Sequence, residues 1–280
     1  MKLEIGSEKR FFDFVNSLNE KDKIALISHT DLDGIVAAKV ANTVLDAEII
    51  KFVNYEELAQ PLVDELASHG ITKIIFTDLF IGNESFLHSL EEFAHVLILD
   101  HHLSQKDWNS SKTTFLKVED GYCAGYFCYT LFSKVQSLEM IDWLVACSCV
   151  SDYCHIKPSS WLEMVYKNYN DRYEQEGFYV RKDGPIWDLQ ETLSLAIIYF
   201  KDRARGLHTV FSSLGLLYGD IGSLQEHAAE VKKEITRLVN LYSKERIAFS
   251  EGYFFLFVPR FPCGSMVSTI VSAQDVDKII

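Results

Sequence analysis

Apolar residues in this chain come in short continuous runs, separated by stretches in which they recur at helical intervals. Residues 24–28, 48–53, 73–77 and 94–99 read as strands, and the three other than 48–53 are apolar enough to be buried on both faces. Between them, residues 34–45, 56–67 and 84–93 have the spacing of helices packed on a sheet. A shorter amphipathic helix over 9–18 can set Phe11, Phe12, Phe14, Val15 and Leu18 on one face. Strand and helix in strict alternation imply right-handed crossovers, and so an α/β fold with a mostly parallel, Rossmann-like sheet and flanking helices.

Beyond that alternation the pattern changes. Residues 114–118 give one more strand, followed by apolar helices over 123–135 and 140–150. The 153–185 stretch is irregular, aromatic and polar, and reads as a lid or insertion. Helices are expected over 189–200 and 207–217, then a long connector helix over 223–247 with Val231, Ile235, Leu238, Val239 and Leu241 at helical spacing. A new strand over 253–258 and a helix opening at Gly264-Ser265 start a partial second α/β domain. Asp277, Lys278, Ile279 and Ile280 read as an incoming strand of that domain. The expected organisation is a catalytic domain over 1–200, a helical region over 201–250, and a reduced or shortened C-terminal domain over 251–280.

The polar residues that interrupt this pattern are concentrated at strand exits. The first run leads into His29-Thr30-Asp31-Leu32-Asp33-Gly34, the third into Asp78, and the fourth into Asp100-His101-His102. Side chains at the carboxyl ends of neighbouring parallel strands converge on one crevice. An isolated Asp there is commonly a helix cap, and an isolated Asp-Gly a turn. Three clusters at three strand ends point further, to a candidate dinuclear metal site. Hard carboxylates with imidazole suit Mn²⁺ or Mg²⁺ better than a thiolate-type zinc site. In a turn leaving the strand, Asp31 and Asp33 can both face the crevice. Gly34 allows a tight entry to the next helix, whose N-terminus suits a phosphate. The second strand ends in Phe52-Val53-Asn54-Tyr55, without an acidic cluster, and is expected to lie away from the crevice.

As an ordered set, His29-Thr30-Asp31-Leu32-Asp33-Gly34, Asp78, Asp100-His101-His102 and Asp152, within Cys149-Val150-Ser151-Asp152-Tyr153, resembles the four motifs of the DHH phosphoesterase superfamily, RecJ-like archaeal-type branch. The likeness covers residues 20–155. It implies two divalent ions, Mn²⁺ first and Mg²⁺ second. His29, Asp31 and Asp78 would hold one; Asp33, Asp78, His101 and Asp152 would hold the other, with Asp78 between them. His102 would contact the scissile phosphate or assist proton transfer, and Asp100 would orient a histidine. The implied activity is hydrolysis of single-stranded DNA, RNA or short oligonucleotides by water activated between the ions. Alternatives are a cyclic-dinucleotide phosphodiesterase, an inorganic pyrophosphatase, or a non-catalytic scaffold with a replication-protein partner; a homodimer is also compatible. The Gly-Gly-Gly-His-type loop that grips the strand in RecJ-like relatives does not occur in this sequence.

Composition narrows the partners. A net charge of −13 counts against an extended nucleic-acid groove, though bound cations can invert the local field. The N-terminus lacks a signal peptide's apolar core, no apolar run is long enough to span a bilayer, and six cysteines read as reduced thiols. A cytoplasmic protein without a membrane partner is expected. Cys147, Cys149, Cys154 and His155 read as packing beside Asp152 rather than as a zinc site, because i and i+2 residues on a helix point apart. Arg203, Arg205 and His208 form a small basic cluster, the candidate contact for a substrate phosphate. Ser194 and Asp202 lack a nucleophile motif around them, and the glycines of 215–222 follow no strand.

Overall fold

The apolar runs become the centre of a six-stranded sheet. The structure, a computed structural model, describes every residue except Gln105, Phe178, Ala204 and 276–280. In chain order its sheet strands are β1 (Leu3–Ile5), β2 (Ile24–Ser28), β3 (Ile49–Phe52), β4 (Lys73–Thr77), β5 (His95–Asp100) and β6 (Thr113–Val118). The helices along the same stretch are α1 (Glu8–Asn16), α2 (Leu32–Leu45), α3 (Gln60–Ser68) and α4 (Glu84–Glu91). Strand order is β1-β6-β5-β4-β2-β3, all pairs parallel except β1 with β6. The chain moves from β2 to β3 on one side and then to β4 on the other. The topological switch point therefore lies between β2 and β4, where doubly wound sheets open a crevice.

Alternation within the strands sorts the core into two faces. Ala25, Ile27, Ile74, Phe76, Val96 and Ile98 pack with Leu62, Val63 and Leu66 of α3 and Phe86, Leu87 and Leu90 of α4. Leu26, Ile75 and Leu97, also fully buried, point to the other face. Each such side chain contributes about 1.5–3 kcal/mol through removal from water. Helices α5 (Ala124–Phe132) and α6 (Asp142–Ser151) follow β6 and pack with α2 and with each other.

The 153–185 stretch holds more structure than its composition suggests. It contains α7 (Ser159–Asn168) and a small antiparallel hairpin of β7 (Gln175–Glu176) and β8 (Tyr179–Val180). Leu162, Val165 and Tyr166 give α7 a buried stripe, whose spacing is diluted in the sequence by Trp161, Tyr169 and Tyr173. Helix α8 (Pro185–Phe200) comes next, then α9 (Gly206–Ser213) and the 22-residue α10 (Leu224–Glu245). Leu224, Ala228, Val231, Ile235, Leu238 and Tyr242 form the buried stripe of α10.

The expected strand over 253–258 is replaced by a hairpin of β9 (Ile247–Phe249) and β10 (Gly252–Phe254). Residues 255–258 alternate like a strand but have no ladder partner among the described residues, and Leu256 and Val258 are 78% and 85% exposed. Helix α11 (Gly264–Gln274) begins where Gly264-Ser265 predicts it. The expected strand at Asp277–Ile280 lies outside the described residues.

Compactness divides the chain into two units. The first is Met1–Gln190 with Leu216–Gly219; the second is Glu191–Gly215 with Asp220 onward. Among the described residues no helix is long and apolar enough to cross a membrane.

Candidate metal centre

Every acidic cluster of the first unit arrives at the crevice by a different local device. Leaving β2, the chain turns so that Asp31 caps α2, its Oδ1 accepting from the Gly34 amide at 2.9 Å. The close turn needs a glycine: a Cβ on Gly34 would stand 2.5 Å from the His29 carbonyl oxygen. Ser28 ties that turn to β4, donating to the carbonyls of Gly34 at 2.7 Å and Thr77 at 3.0 Å. Leaving β4, Asp78 adopts left-handed backbone geometry with φ +58°, and its amide donates to Leu99 on β5 at 3.0 Å. Left-handed geometry is uncommon outside glycine, although Asp and Asn tolerate it.

Asp78 is the hub of what results. It is 1% exposed, and its buried Oδ2 has no hydrogen-bond partner among the described residues. His29 Nδ1 stands 2.9 Å from Asp31 Oδ2 and 3.7 Å from Asp78 Oδ2. Across Asp78, His101 Nε2 lies 3.2 Å from Oδ1 and His102 Nδ1 lies 3.9 Å from it. His101 Nε2 also faces Asp33 Oδ2 at 3.8 Å, while its Nδ1 faces Asp152 Oδ2 at 3.9 Å. Ligand-type atoms of His29, Asp31 and Asp78 fall within 4.8 Å of one another, as do those of Asp78, His101 and His102, and those of His101, Asp152 and Cys154.

Asp33 has a second occupation. Its carboxylate accepts from the Ala124 and Gly125 amides at 2.7 and 2.8 Å, and from Ser148 Oγ. These are the first amides of α5, whose own cap residue Cys123 makes no side-chain capping bond to them. Asp33 therefore caps a distant helix and ties α2, α5 and α6 to one carboxylate. Gly125 makes this possible, since a Cβ there would fall 3.0 Å from Asp33 Oδ1.

Asp100 and His102 form a directed pair. Asp100 is fully buried, and its Oδ1 accepts from the His101 amide at 2.8 Å and lies 2.7 Å from His102 Nδ1. The carboxylate places the proton on Nδ1 and leaves Nε2 as an acceptor in the neutral ring. Tyr55 meets that nitrogen, its hydroxyl 3.3 Å from Nε2, and its ring lies 5.4 Å from the His29 ring. Sequence reasoning misses Tyr55, because it expects the end of β3 to lie clear of the crevice. The strand does take the sheet edge, but the 3₁₀ turn Tyr55–Glu57 that follows bends back, and Thr30 Oγ1 donates to Asn54 at 3.0 Å.

Charge is unevenly balanced across the centre. Burial, joined by the neighbouring carboxylates Asp33, Asp31, Asp100 and Asp152, pushes the Asp78 carboxyl well above its usual range. Burial and Asp33 likewise raise Asp152 to about 6. Asp31 runs the other way: burial pushes it up, but His29 and the Gly34 amide outweigh this and hold it at about 2. For His102, desolvation lowers basicity, yet the bond to Asp100 raises it overall.

Carboxylates and imidazoles in this arrangement fit divalent cations. The orphaned Asp78 Oδ2 is the sharpest sign, since a buried carboxylate oxygen without a donor is costly unless a cation satisfies it. Arg203, Arg205 and His208 belong to the second unit and are all exposed. There the Arg203 guanidinium lies 3.8 Å from the Tyr199 ring centroid, and His208 Nδ1 is 3.2 Å from Ser212 Oγ.

No protein-family model and no curated protein sequence matches the chain. Solved structures do. An exonuclease RecJ bound to manganese is similar with a TM-score of 0.64 at 13% identity, over 99% of this chain and 79% of that one. The DHH domain of a protein from a family of ribosomal proteins gives 0.62 at 15% identity, over 91% and 68%. RecJ of Thermus thermophilus in complex with Mn²⁺ gives 0.54 at 16% identity and 88% of this chain, which spans 40% of that protein. At such identities the likeness is one of fold: the chain has the fold seen in RecJ and in that DHH domain.

Proposed function

We propose that this protein is a Mn²⁺-dependent phosphodiesterase that hydrolyses single-stranded DNA, RNA or short oligonucleotides. The observation that carries the reading is Asp78: a buried carboxylate with one unsatisfied oxygen, faced by imidazoles from two other strand ends. His29, Asp31 and Asp78 would hold one ion, and Asp33, Asp78, His101 and Asp152 the other. When bound, the two ions supply an acidified water and neutralise charge on the phosphate oxygens. Asp100 fixes the His102 ring, so that Nε2 is the nitrogen presented to a phosphate or to a proton in transit. Tyr55 holds that nitrogen until substrate displaces the hydroxyl. Asp33 keeps the first turns of α2 and α5 in one place, which limits movement of the ligands.

The net charge of −13 favours short substrates over long strands laid in a basic groove. Arg203, Arg205 and His208 are proposed as phosphate contacts, to be read as a rise in KM on their removal. The test is hydrolysis of labelled single strands, dinucleotides, cyclic dinucleotides and pyrophosphate with Mn²⁺ or Mg²⁺, beside Asp78→Ala. Release of nucleotides from strands or dinucleotides is expected, with Asp78→Ala slower by about 10³-fold or more, the worth of several kcal/mol of charge stabilisation. Preference for pyrophosphate would overturn the substrate, and no hydrolysis by the metal-loaded protein would overturn the activity.

A further inference from the structure

Cys154 lies two residues beyond Asp152, in a stretch that reads in the sequence as core packing. Five of the six cysteines are buried, and Cys154 alone is partly open. Its position is set by how α6 ends. The Tyr153 amide donates to the Val150 carbonyl at 3.3 Å, and the Cys154 amide donates to the Cys149 carbonyl at 2.9 Å. This is a Schellman closure, with the left-handed position that glycine usually fills taken by Tyr153 at φ +55°. The turn brings residue 154 back beside the helix end. Cys154 Sγ then donates to Asp152 Oδ2 at 3.2 Å, and a ligand-type nitrogen of His101 completes a group whose atoms lie within 4.8 Å of one another.

We infer that Cys154 is a thiolate ligand of the ion that His101 and Asp152 hold. The inference rests on the metal-centre reading above and adds one residue to it. An imidazole, a carboxylate and a thiolate make a softer donor set than carboxylates and imidazoles alone. With Asp33 and Asp78 the set stays mostly hard and still accepts Mn²⁺, while the added thiolate raises its affinity for Zn²⁺ or Co²⁺. Ligation breaks the S–H bond, forms a sulfur–metal bond and releases the proton to solvent, with no change of oxidation state. The two halves of the centre then differ in kind: His29, Asp31 and Asp78 remain a hard site, and the Asp152 side becomes a borderline one.

The full chain, stripped of metal, is titrated with Co²⁺ and followed by absorption. Ligand-field bands report that the centre binds the ion. A thiolate-to-cobalt charge-transfer band in the near ultraviolet reports Cys154. The expected result is both features in the unsubstituted protein and loss of the charge-transfer band alone in Cys154→Ser. Zn²⁺ affinity of that variant should fall by about 10–100-fold, comparable to losing a contact that supports a metal ligand, with Mn²⁺ affinity little changed. X-ray absorption of the Zn²⁺-loaded unsubstituted protein gives a reading free of any folding defect: one sulfur at about 2.3 Å is expected. Ligand-field bands without a thiolate band, a thiolate band that persists in Cys154→Ser, or a zinc shell of nitrogen and oxygen only would each overturn the role of Cys154 and leave the centre standing. Absence of ligand-field bands would overturn the centre itself.

Discussion

Asp78 concentrates the conflict between stability and function in this protein. It combines left-handed backbone geometry, near-complete burial and an oxygen without a partner, all within reach of Asp31, Asp33, Asp100 and Asp152. Without cations that arrangement opposes folding, and a divalent cation held there would offset the cost. Asp78→Asn should therefore raise the melting temperature of the metal-free protein by about 2–4 °C, the effect of roughly 1 kcal/mol in a chain of this order. The same variant should lose the stabilisation that Mn²⁺ gives the unsubstituted protein. Scanning calorimetry with and without Mn²⁺ checks both; a variant less stable without metal and equally stabilised by it would refute the reading. The clustering of these residues is legible in the sequence because each follows an apolar strand, and strand ends in a parallel sheet share one edge. Tyr55 and Cys154 are not legible. One is placed by a 3₁₀ turn after an edge strand, the other by a helix closure that lacks its usual glycine, and neither leaves a periodic trace.

Elements differ in how their ends are secured. Helix α6 ends on Tyr153 in a conformation that costs an L-residue about 1–2 kcal/mol, so Tyr153→Gly should stabilise the chain by about 1 kcal/mol after the glycine's extra unfolded-state entropy. Urea unfolding measures this, and an unchanged or lower midpoint would show that the turn is not strained. Helix α10 carries Glu234 on its buried stripe, held by Arg237 through two bonds of 2.8 Å and by the Arg260 amide at 3.0 Å. The Arg237 bond leads these in drawing the carboxyl from 4.5 to about 2, against the cost of burial. A depressed folded value means the contribution is complete above about pH 4.5 and disappears as pH falls toward about 2. Acid-unfolding curves of Glu234→Gln should be flatter than those of the unsubstituted chain across that window; parallel curves would contradict it. Long elements such as α2 and α10 are readable from periodicity. Strand β1 has three residues, and α7 hides its stripe among exposed aromatics, so neither stands out.

For the molecule as a whole, the alternation of the first hundred residues predicts a mostly parallel sheet with flanking helices, and the structure sets its switch point between β2 and β4, where the candidate ligands gather. What the alternation leaves open is the second unit. There the 253–258 run looks like a strand, yet among the described residues only its first two pair, because strand pattern describes a face to be covered and not the neighbour that covers it. A formal charge of −13 takes on a different meaning when several of the carboxylates converge on one centre: part of it is local, and bound divalent cations would offset it. The most direct test of the account is anomalous scattering from crystals of the full chain grown with Mn²⁺. Two peaks are predicted on either side of Asp78, one touching His29 and Asp31 and the other touching Asp33, His101 and Asp152. A single peak elsewhere, or density at Asp78 explained by water alone, would contradict the two-ion centre.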